Sequence, residues 1–328
     1  MQTIFVTGVT GLIGANVAKI LQERGYKVRG IVRNPHSADG RAVAAAGVEV
    51  VQGDISKLDT VLKAAEGADA VIHSAAMLGG PTQSVEEGFQ SNVLGTINVL
   101  TAAARLGISP VVQLLTSTYF DMDVSLTETS PFDLKTRNVD PYSLTKRIAY
   151  AEGLARVGSG QDIRFVLPGG TYGPSVCLER AMIMPSFNER IVSGIKGQFD
   201  EIVPMKIPWV FVDDVAWITV EALERGTAGE RYIAWGRLED AGSMAHFTNA
   251  AIKLEGLAHR VREIPVSRLD DPDIRAKYGD SWADIGKHTY PEPMWDDSFT
   301  RKRLGYAPTP LEEGLKITLP WMHEVGLL

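Results

Sequence analysis

The sequence has little cysteine, no long apolar run and no excess of positive charge. Its single cysteine, Cys177, cannot form an intramolecular disulfide, and no His/Cys cluster has metal-ligand spacing, so we expect no metal site. No apolar stretch approaches the roughly 20 residues of a membrane span. The net charge of −7 leaves no basic face for a phosphate backbone. We therefore expect a globular, cytoplasmic protein that binds neither nucleic acid nor a membrane.

What the chain does have is a regular alternation of short β-branched runs and longer amphipathic stretches, which predicts a parallel sheet joined by crossover helices. Six candidate strands cover residues 3–7, 27–32, 48–51, 70–73, 111–116 and 164–167. We predict an α/β fold with a doubly wound parallel sheet, a Rossmann fold, over residues 1–168. A smaller α+β substrate lobe is expected over residues 169–328.

The rhythm changes in this second lobe, where helical segments alternate with isolated short strands and prolines. Helices are predicted near residues 178–195, 215–224 and 243–254. Residues 209–212 and 231–235 are candidate strands that return to the first lobe's sheet. The region 209–235 is therefore expected to rejoin the first lobe, which makes the boundary near residue 168 indistinct.

Three glycines follow the first candidate strand and precede a helix-like stretch, residues 15–23. Gly8 permits a tight turn, Gly11 lets the backbone approach a pyrophosphate, and Gly14 allows the helix to pack on the strand. The helix N-terminus adds N–H groups and a positive dipole. The turn is therefore interpreted as a dinucleotide-binding loop. Its predicted cofactor contacts also include Thr10, Leu12 and Ile13.

The G-x-x-G-x-x-G spacing resembles that of the extended short-chain dehydrogenase/reductases, within the NAD-dependent epimerase/dehydratase superfamily. Further elements of that family follow in order: Asp54-Ile55, His73-Ser74-Ala75-Ala76, Asn92-Val93-Leu94-Gly95-Thr96 and the tail segment 303–315. The resemblance implies cofactor contacts from Asp54, Ile55, Ser74, Ala75, Ala76, Asn92, Thr116, Pro168, Gly170 and Thr171. The last three of these would close over the nicotinamide.

The end of the second candidate strand indicates which nicotinamide cofactor is used. An acidic residue there would bond the ribose 2′-hydroxyl, but Arg33 takes that place. A guanidinium can form charge-assisted bonds with a 2′-phosphate, and Asn34, His36 and Ser37 could add donors. No carboxylate lies between Arg29 and Ser37. We predict NADP(H) as the preferred cofactor, with NAD(H) also possible; the alternative for Arg33 is an ordinary solvated arginine.

Tyr142 and Lys146 stand four residues apart at the start of an amphipathic stretch, which places them on one face of a helix. A catalytic tyrosine must exchange its proton near neutral pH, although its reference pKa is about 10. An adjacent ammonium stabilises the phenolate, lowers that pKa and can hold the nicotinamide ribose. The spacing alone is common, but here it follows a fifth strand and the glycine loop. We predict that both residues are catalytic and also bind the cofactor.

A third catalytic group is expected at the end of the fifth strand, where residues 114–118 resemble the family's T-S-S segment. By motif position it is Thr118, whose hydroxyl would bond the substrate oxygen and stabilise the charge that develops there. Ser117 is the fallback, since successive strand residues point to opposite faces and only one can reach the cleft.

Extended family members include epimerases, dehydratases and reductases, and the departures of this chain from their motifs favour a reductase. Tyr119 and Phe120 stand where sugar-nucleotide dehydratases have an acidic pair. Leu167, Gly170 and Ile207 replace the arginine, the asparagine and the second arginine of two epimerase motifs. A nucleotide diphosphate would find few partners among these residues.

Apolar side chains near the presumed cleft suit an apolar carbonyl substrate, although core packing explains each of them as well. The candidate substrate residues are Met77, Leu78, Tyr119, Phe120, Met184 and Trp209. In this lining the chain looks most like the dihydroflavonol reductase and hydroxysteroid dehydrogenase branch of the family.

The sequence thus predicts an NADP(H)-dependent alcohol dehydrogenase or carbonyl reductase. It would interconvert a medium-sized apolar or aromatic ketone or aldehyde and its alcohol by hydride transfer, with Tyr142 moving the proton. Two alternatives stay open: a nucleotide-sugar epimerase or related sugar-modifying enzyme with tightly bound NAD, and a non-catalytic NADP-binding sensor or scaffold. A homodimer is possible through the helices that contain Asn92 and Tyr142, because residues 97–106 carry an apolar outer face.

Overall fold

A parallel sheet organises the computed structural model, which describes residues 1–78, 84–118, 120–131, 141–183 and 186–328. The strands are β1 (Thr3–Thr7), β2 (Lys27–Val32), β3 (Glu49–Gln52), β4 (Ala70–His73), β5 (Val111–Leu114), β6 (Ile163–Pro168), β7 (Gly170–Tyr172), β8 (Glu201–Ile202), β9 (Trp209–Phe211), β10 (Arg231–Ala234) and β11 (Arg262–Glu263). Seven of them form one parallel sheet in the order β10-β6-β5-β4-β1-β2-β3. The predicted doubly wound α/β fold is confirmed.

Helices cover both faces of this sheet and build the remainder of the chain. They are α1 (Leu12–Glu23), α2 (Ala38–Ala45), α3 (Leu58–Ala65), α4 (Val85–Gly88), α5 (Gly95–Leu106), α6 (Pro141–Gly158), α7 (Leu178–Met182), α8 (Phe187–Ile195), α9 (Val212–Arg225), α10 (Met244–Leu254), α11 (Pro272–Tyr278), α12 (Asp280–Ile285), α13 (Ser298–Leu304) and α14 (Leu311–Glu324). A π-helical segment, Phe89–Leu94, joins α4 to α5, and short 3-10 turns lie at Leu238–Asp240 and Val266–Arg268.

The six predicted strands all lie in the large sheet. β1, β2 and β4 occupy the predicted residues, whereas β3, β5 and β6 differ from prediction by one or two residues at their ends. Such end shifts follow from where ladder hydrogen bonds stop, which hydrophobic pattern does not encode. β10 supplies the seventh strand and pairs with β6, as expected for residues 231–235.

The prediction that residues 209–212 return to this sheet was wrong. β9 pairs instead with β7 in a separate two-stranded sheet. The place beside β6 is taken by β10, and the backbone N–H of Gly170 donates to Pro208 O at 2.8 Å, which closes the small sheet. The chain rejoins the first lobe through α9, which packs on α1, and then through β10. The boundary at residue 168 stays a prediction.

Alternation along the strands divides the core into two layers. Ile4 and Val6 face the cluster that includes α1 and α9, while Phe5 faces the cluster that includes α3, α5 and α6. Helix α6 reaches the sheet closely at Gly153, where a Cβ would lie 2.4 Å from Gln113 Oε1. A third cluster, built around Trp209 and helices α10 and α14, lies outside the main sheet.

Among the helices in the described part of the chain, none is both long and apolar enough to cross a lipid bilayer.

Candidate active site

The glycine turn after β1 is packed so closely that two of its glycines cannot carry a side chain. Gly8 has φ +71°, and a Cβ there would lie 2.6 Å from the backbone nitrogen of Ala75. A Cβ on Gly14 would lie 2.2 Å from the carbonyl oxygen of Gly8. Gly11 is more open, because its nearest contact would be that same oxygen at 3.2 Å. The turn therefore brings α1 and the loop after β4 together and leaves the backbone near Gly11 approachable.

The first turn of α1 can accept an anion. Within the described residues, the backbone N–H groups of Leu12, Ile13 and Gly14 have no protein acceptor, and no side chain caps the helix. No acidic residue lies in this turn to compete. Free N–H groups at the positive end of a helix dipole are the usual ligands of a pyrophosphate. The residues present thus fit the dinucleotide that the glycine spacing predicts.

The turn after β2 presents Arg33 to solvent. Its guanidinium has no ion pair or hydrogen bond with any residue that the structure describes. Asn34 shapes the turn, since its Oδ1 accepts from the backbone N–H of His36 at 3.0 Å and its carbonyl accepts from Ser37 Oγ at 2.8 Å. Asp39, the first carboxylate beyond Arg33, is buried and accepts from the backbone N–H groups at the start of α7. Its carboxylate is therefore committed to the start of α7.

The loop after β3 is anchored to α5. The Asp54 carboxylate accepts from the backbone N–H of Ser56 at 2.9 Å, and the carbonyl of Ile55 accepts from Asn98 Nδ2 at 2.9 Å. The Ile55 side chain packs on Gly95, where a Cβ would lie 2.7 Å from Ile55 Cδ1. Both predicted cofactor contacts therefore sit on a fixed loop at the carboxyl ends of the strands.

A buried chain of hydrogen bonds connects the glycine turn to the central helix. His73 Nδ1 lies 2.7 Å from Thr7 Oγ1, and its Nε2 lies 2.9 Å from Thr96 Oγ1. Thr96 Oγ1 donates its single proton to the carbonyl of Asn92 at 2.6 Å. It must therefore accept from His73, which places the ring proton on Nε2. Burial, and next the charge of Lys146, lower the His73 pKa to about 3. His73 is thus a neutral structural link, a role that sequence reasoning missed because its partners are distant in the chain.

Asn92 extends this chain to the catalytic helix. From the π-helical segment, its Oδ1 accepts from the backbone N–H of Met77 at 2.7 Å, and its Nδ2 donates to Met77 O at 3.1 Å and to Thr145 Oγ1 at 2.9 Å. Ser74 Oγ donates to Thr7 O at 2.8 Å, and the backbone N–H of Ala75 reaches Thr7 Oγ1 at 3.3 Å. The loop that includes Ala76 is therefore tied to β1 and α6.

Helix α6 carries Tyr142 and Lys146 one turn apart on the same face. Lys146 is buried, and its Nζ donates to the carbonyl of Leu114 at 2.7 Å. Burial lowers the pKa of this ammonium to about 8, so it is still mainly charged at neutral pH. A cation is therefore held at the end of β5, one helical turn from the phenol.

The structure brings Thr118, rather than Ser117, to this helix. Thr118 Oγ1 accepts from Ser143 Oγ at 2.8 Å and from Thr116 Oγ1 at 3.5 Å. For Ser117, the hydrogen bond found runs through its carbonyl, which accepts from the N–H of Phe120 at 3.1 Å. This geometry favours Thr118 as the catalytic hydroxyl, and the assignment stays a prediction. Ser143 was not anticipated from the sequence.

The segment after β6 uses its glycines for packing. A Cβ on Gly170 would lie 2.5 Å from Ile207 Cγ2, and one on Gly169 would lie 2.4 Å from Pro208 O. Thr171 Oγ1 donates to Gly169 O at 3.0 Å. Contact of Pro168, Gly170 and Thr171 with the nicotinamide remains a prediction, but the glycines have a structural reason that is independent of it.

Two of the predicted substrate residues are buried among core side chains, and a substrate role for them stays a prediction. Phe120 is 3% exposed and packs in the core near Tyr150, with Arg231 over its ring at 5.3 Å. Trp209 is 2% exposed, stacks on Phe247 at 4.0 Å and donates to Gly242 O at 3.1 Å. Both aromatic rings belong to hydrophobic clusters, Phe120 to the one beside α3, α5 and α6 and Trp209 to the one beside α10 and α14.

The other four substrate candidates divide into two pairs. Met77 is half-buried and Leu78 is exposed, both in the loop after β4. Tyr119 and Met184 lie outside the described residues. A substrate role for Met77 and Leu78 remains a prediction.

Comparison with known proteins assigns the family. Residues 4–234 match the NAD dependent epimerase/dehydratase family. The chain therefore belongs to this family.

Two curated relatives cover nearly the whole chain. Sterol demethylase protein B of Methylococcus capsulatus is 26% identical over 100% of both chains. A putative dihydroflavonol 4-reductase of Synechocystis is 27% identical over 98% of this chain and 95% of the relative.

Solved structures share the fold over the same length. The structure of gox2253 has a TM-score of 0.85 and 24% identity and covers 100% of both chains. A UDP-glucuronic acid 4-epimerase from Bacillus cereus, in complex with UDP-glucuronic acid and NAD, has a TM-score of 0.77 and 20% identity over 99% of this chain and 100% of that one. At this identity the likeness extends to the fold alone.

Proposed function

We propose that this protein is an NADP(H)-dependent oxidoreductase that interconverts a medium-sized, apolar or aromatic ketone or aldehyde and its alcohol. The observation that carries the proposal is the meeting of α6 with the end of β5. There the buried Lys146 ammonium, the helix that bears Tyr142, and the Thr118 hydroxyl come together. This set provides a proton, a stabilising cation and a donor for the substrate oxygen.

Each group has a distinct chemical task. The nicotinamide, when bound, supplies or accepts the hydride. Tyr142 donates its phenolic proton to the carbonyl oxygen during reduction and takes it back during oxidation. Lys146 stabilises the phenolate that results, since an opposite charge nearby favours the ionised form. Thr118 donates a hydrogen bond to the same substrate oxygen, where negative charge develops.

The preference for NADP(H) rests on Arg33. The family's description names NAD, so a 2′-phosphate requires a specific partner here. Arg33 has no protein partner among the described residues, and Asp39 is committed to α7. A free guanidinium at this place can form charge-assisted bonds with a phosphate.

The substrate class is supported by the motif departures and by the relatives. The chain lacks the arginines and the asparagine that epimerases place at Leu167, Gly170 and Ile207. The relatives that cover nearly the whole chain are named for sterol and dihydroflavonol chemistry, and both compound classes are ring systems of medium size. We infer a ring-containing substrate of that size.

The test is a carbonyl panel offered to the purified protein with NADPH and with NADH, followed by absorbance at 340 nm. We expect turnover that favours NADPH and falls at least about 100-fold in Tyr142→Phe, because proton transfer by a positioned side chain is typically worth that much. Tyr142→Phe turnover close to wild type would overturn the assignment. Conversion of UDP- or dTDP-sugars without net redox change would establish the epimerase alternative instead, and cofactor binding without turnover would indicate a sensor.

A homodimer is proposed with this function. Exposed apolar side chains lie on α6 at Leu144, Ile148 and Leu154, and Phe89, at the start of the π-helical segment, and Leu106, at the end of α5, are also exposed. A second copy of the same face would cover them, since contiguous apolar surface favours association. Static light scattering measures the resulting mass.

A further inference from the structure

Ser143 lies in the first turn of α6 directly after Tyr142, and only 1% of its surface is exposed. Its Oγ donates to Thr118 Oγ1 at 2.8 Å, a normal length for a bond between hydroxyls. Thr116 Oγ1 directs a longer contact of 3.5 Å to the same oxygen. Thr118 is thus approached by two donors from the protein.

Hydroxyl groups have one proton and two lone pairs. When Ser143 occupies one lone pair and Thr116 is aimed at the second, Thr118 has only its proton left to offer. A ketone or aldehyde oxygen has lone pairs and no proton, so it requires a donor. The contacts around Thr118 therefore orient its proton toward an acceptor outside this group of three hydroxyls.

We propose that Ser143 is a positioning residue that makes Thr118 a dedicated hydrogen-bond donor to the substrate's carbonyl oxygen. The inference rests on the proposed function. Without Ser143, the Thr118 hydroxyl loses the donor at its short contact and can rotate so that a lone pair, rather than its proton, faces the substrate oxygen. The substrate oxygen then loses a donor that was oriented before the reaction began, which raises the barrier to hydride transfer more than it weakens substrate binding.

The first test is Ser143→Ala in the purified protein with NADPH and the best carbonyl substrate. We expect kcat to fall about tenfold, the order of one hydrogen bond, while KM and the NADPH dissociation constant change less than about twofold. The matched control is Ser159→Ala, the same change just beyond the other end of α6, where Ser159 Oγ donates to Ala155 O at an exposed site. The control should keep wild-type kcat.

A double-mutant cycle gives the decisive result. Thr118→Val should lower kcat about 100-fold, as loss of one donor to a developing oxyanion does. If Ser143 acts through Thr118, Ser143→Ala then adds nothing in the Thr118→Val background. In the conservative Thr118→Ser background the hydroxyl is restored, and Ser143→Ala should again lower kcat about tenfold.

Effects of Ser143→Ala and Thr118→Val that multiply would overturn the inference. A second result would also overturn it: a fall in kcat of Ser143→Ala that is accompanied by a clearly lower melting temperature and by weaker NADPH binding. Such a combination would mark a purely structural role. These results leave the proposed function intact. A wild-type protein that turns over no carbonyl compound contradicts the proposed function itself and removes the substrate acceptor on which the role of Ser143 depends.

Discussion

Two groups of polar side chains lie at the carboxyl ends of the strands, and they differ in how fully their hydrogen bonds are used. Around His73 the bonds close on one another, because Thr7, Thr96 and Asn92 each bond to a partner within the protein. Lys146, in contrast, donates one of its three ammonium protons, to Leu114 O, among the described residues. The Arg33 guanidinium donates no hydrogen bond to the same part of the chain.

This difference distinguishes the residues that fix the structure from the residues that are able to bind a ligand. A buried network in which every member is satisfied fixes a geometry, whereas a donor held in place without a full set of partners is able to bind a ligand. The closed network joins β1, β4, the π-helical segment and α6. It therefore holds α6, and with it Lys146, at a fixed position.

The largest expected effect is the loss of the Lys146 charge. Lys146→Met should lower kcat roughly 1,000-fold, because the phenolate of Tyr142 loses its stabilising cation. The control is Lys63→Met, on the exposed face of α3, which should retain wild-type kcat. In the wild type, the ammonium is lost as the pH rises through a pKa of about 8, so kcat should decline above that pH. If the kcat of Lys146→Met were within a few-fold of the wild-type value, the Lys146 ammonium would not be part of the chemistry.

Removal of the Arg33 guanidinium should weaken the binding of NADPH but not that of NADH. Arg33→Ser should weaken NADPH binding about 30-fold, the order of a charge-assisted bond to a phosphate, and leave NADH binding nearly unchanged. Fluorescence titration with both cofactors measures the ratio. Arg105→Ser, at an exposed position in α5, is the charge-matched control. Equal weakening of both cofactors would show that Arg33 supports the fold or the overall charge rather than the 2′-phosphate.

The smallest of these effects is a pH dependence of stability in the closed network. Unfolded chain binds a proton at His73 near pH 6.5, whereas the folded protein does so only near its pKa of about 3. Stability is therefore lost as pH falls through this window, by about 2 kcal/mol between pH 7 and pH 5. His73→Gln removes that dependence, although its lost hydrogen bonds lower stability at neutral pH.

Denaturant unfolding of wild type and His73→Gln at pH 7 and pH 5 measures this difference. The free energy of unfolding should fall less with acid in the variant, by about 2 kcal/mol. His36→Gln removes an exposed histidine and should keep the wild-type dependence. Identical acid sensitivity of wild type and His73→Gln would show that His73 is not sealed from protons.

The features that could be predicted from the sequence are those that depend on a local pattern of residues. β-branched runs located the six strands, and the spacing of Gly8, Gly11 and Gly14 located the turn between β1 and α1. The four-residue spacing of Tyr142 and Lys146 placed both on one helix face. These features depend on neighbours a few positions away, which a single sequence contains.

Features that depend on distant partners were not predictable in the same way. Phe120 and Trp209 stand beside motifs that we expected to line the cleft, yet both side chains pack in the core. The link through His73 and the contact of Ser143 with Thr118 join residues 23 to 66 positions apart. Nothing in the local pattern distinguishes such residues from ordinary polar side chains.

The place of β10 in the sheet also determines how the chain can be divided. β10 is formed by residues 231–234, yet it covers the edge of β6, which ends at Pro168. A fragment that stops at residue 168 would leave β6 as a bare edge with unpaired backbone groups, the kind of surface at which strands of separate chains pair and aggregate. Residues 169–230 are therefore an insertion between two adjacent strands, and the seven-stranded sheet cannot be completed until these residues have been synthesised.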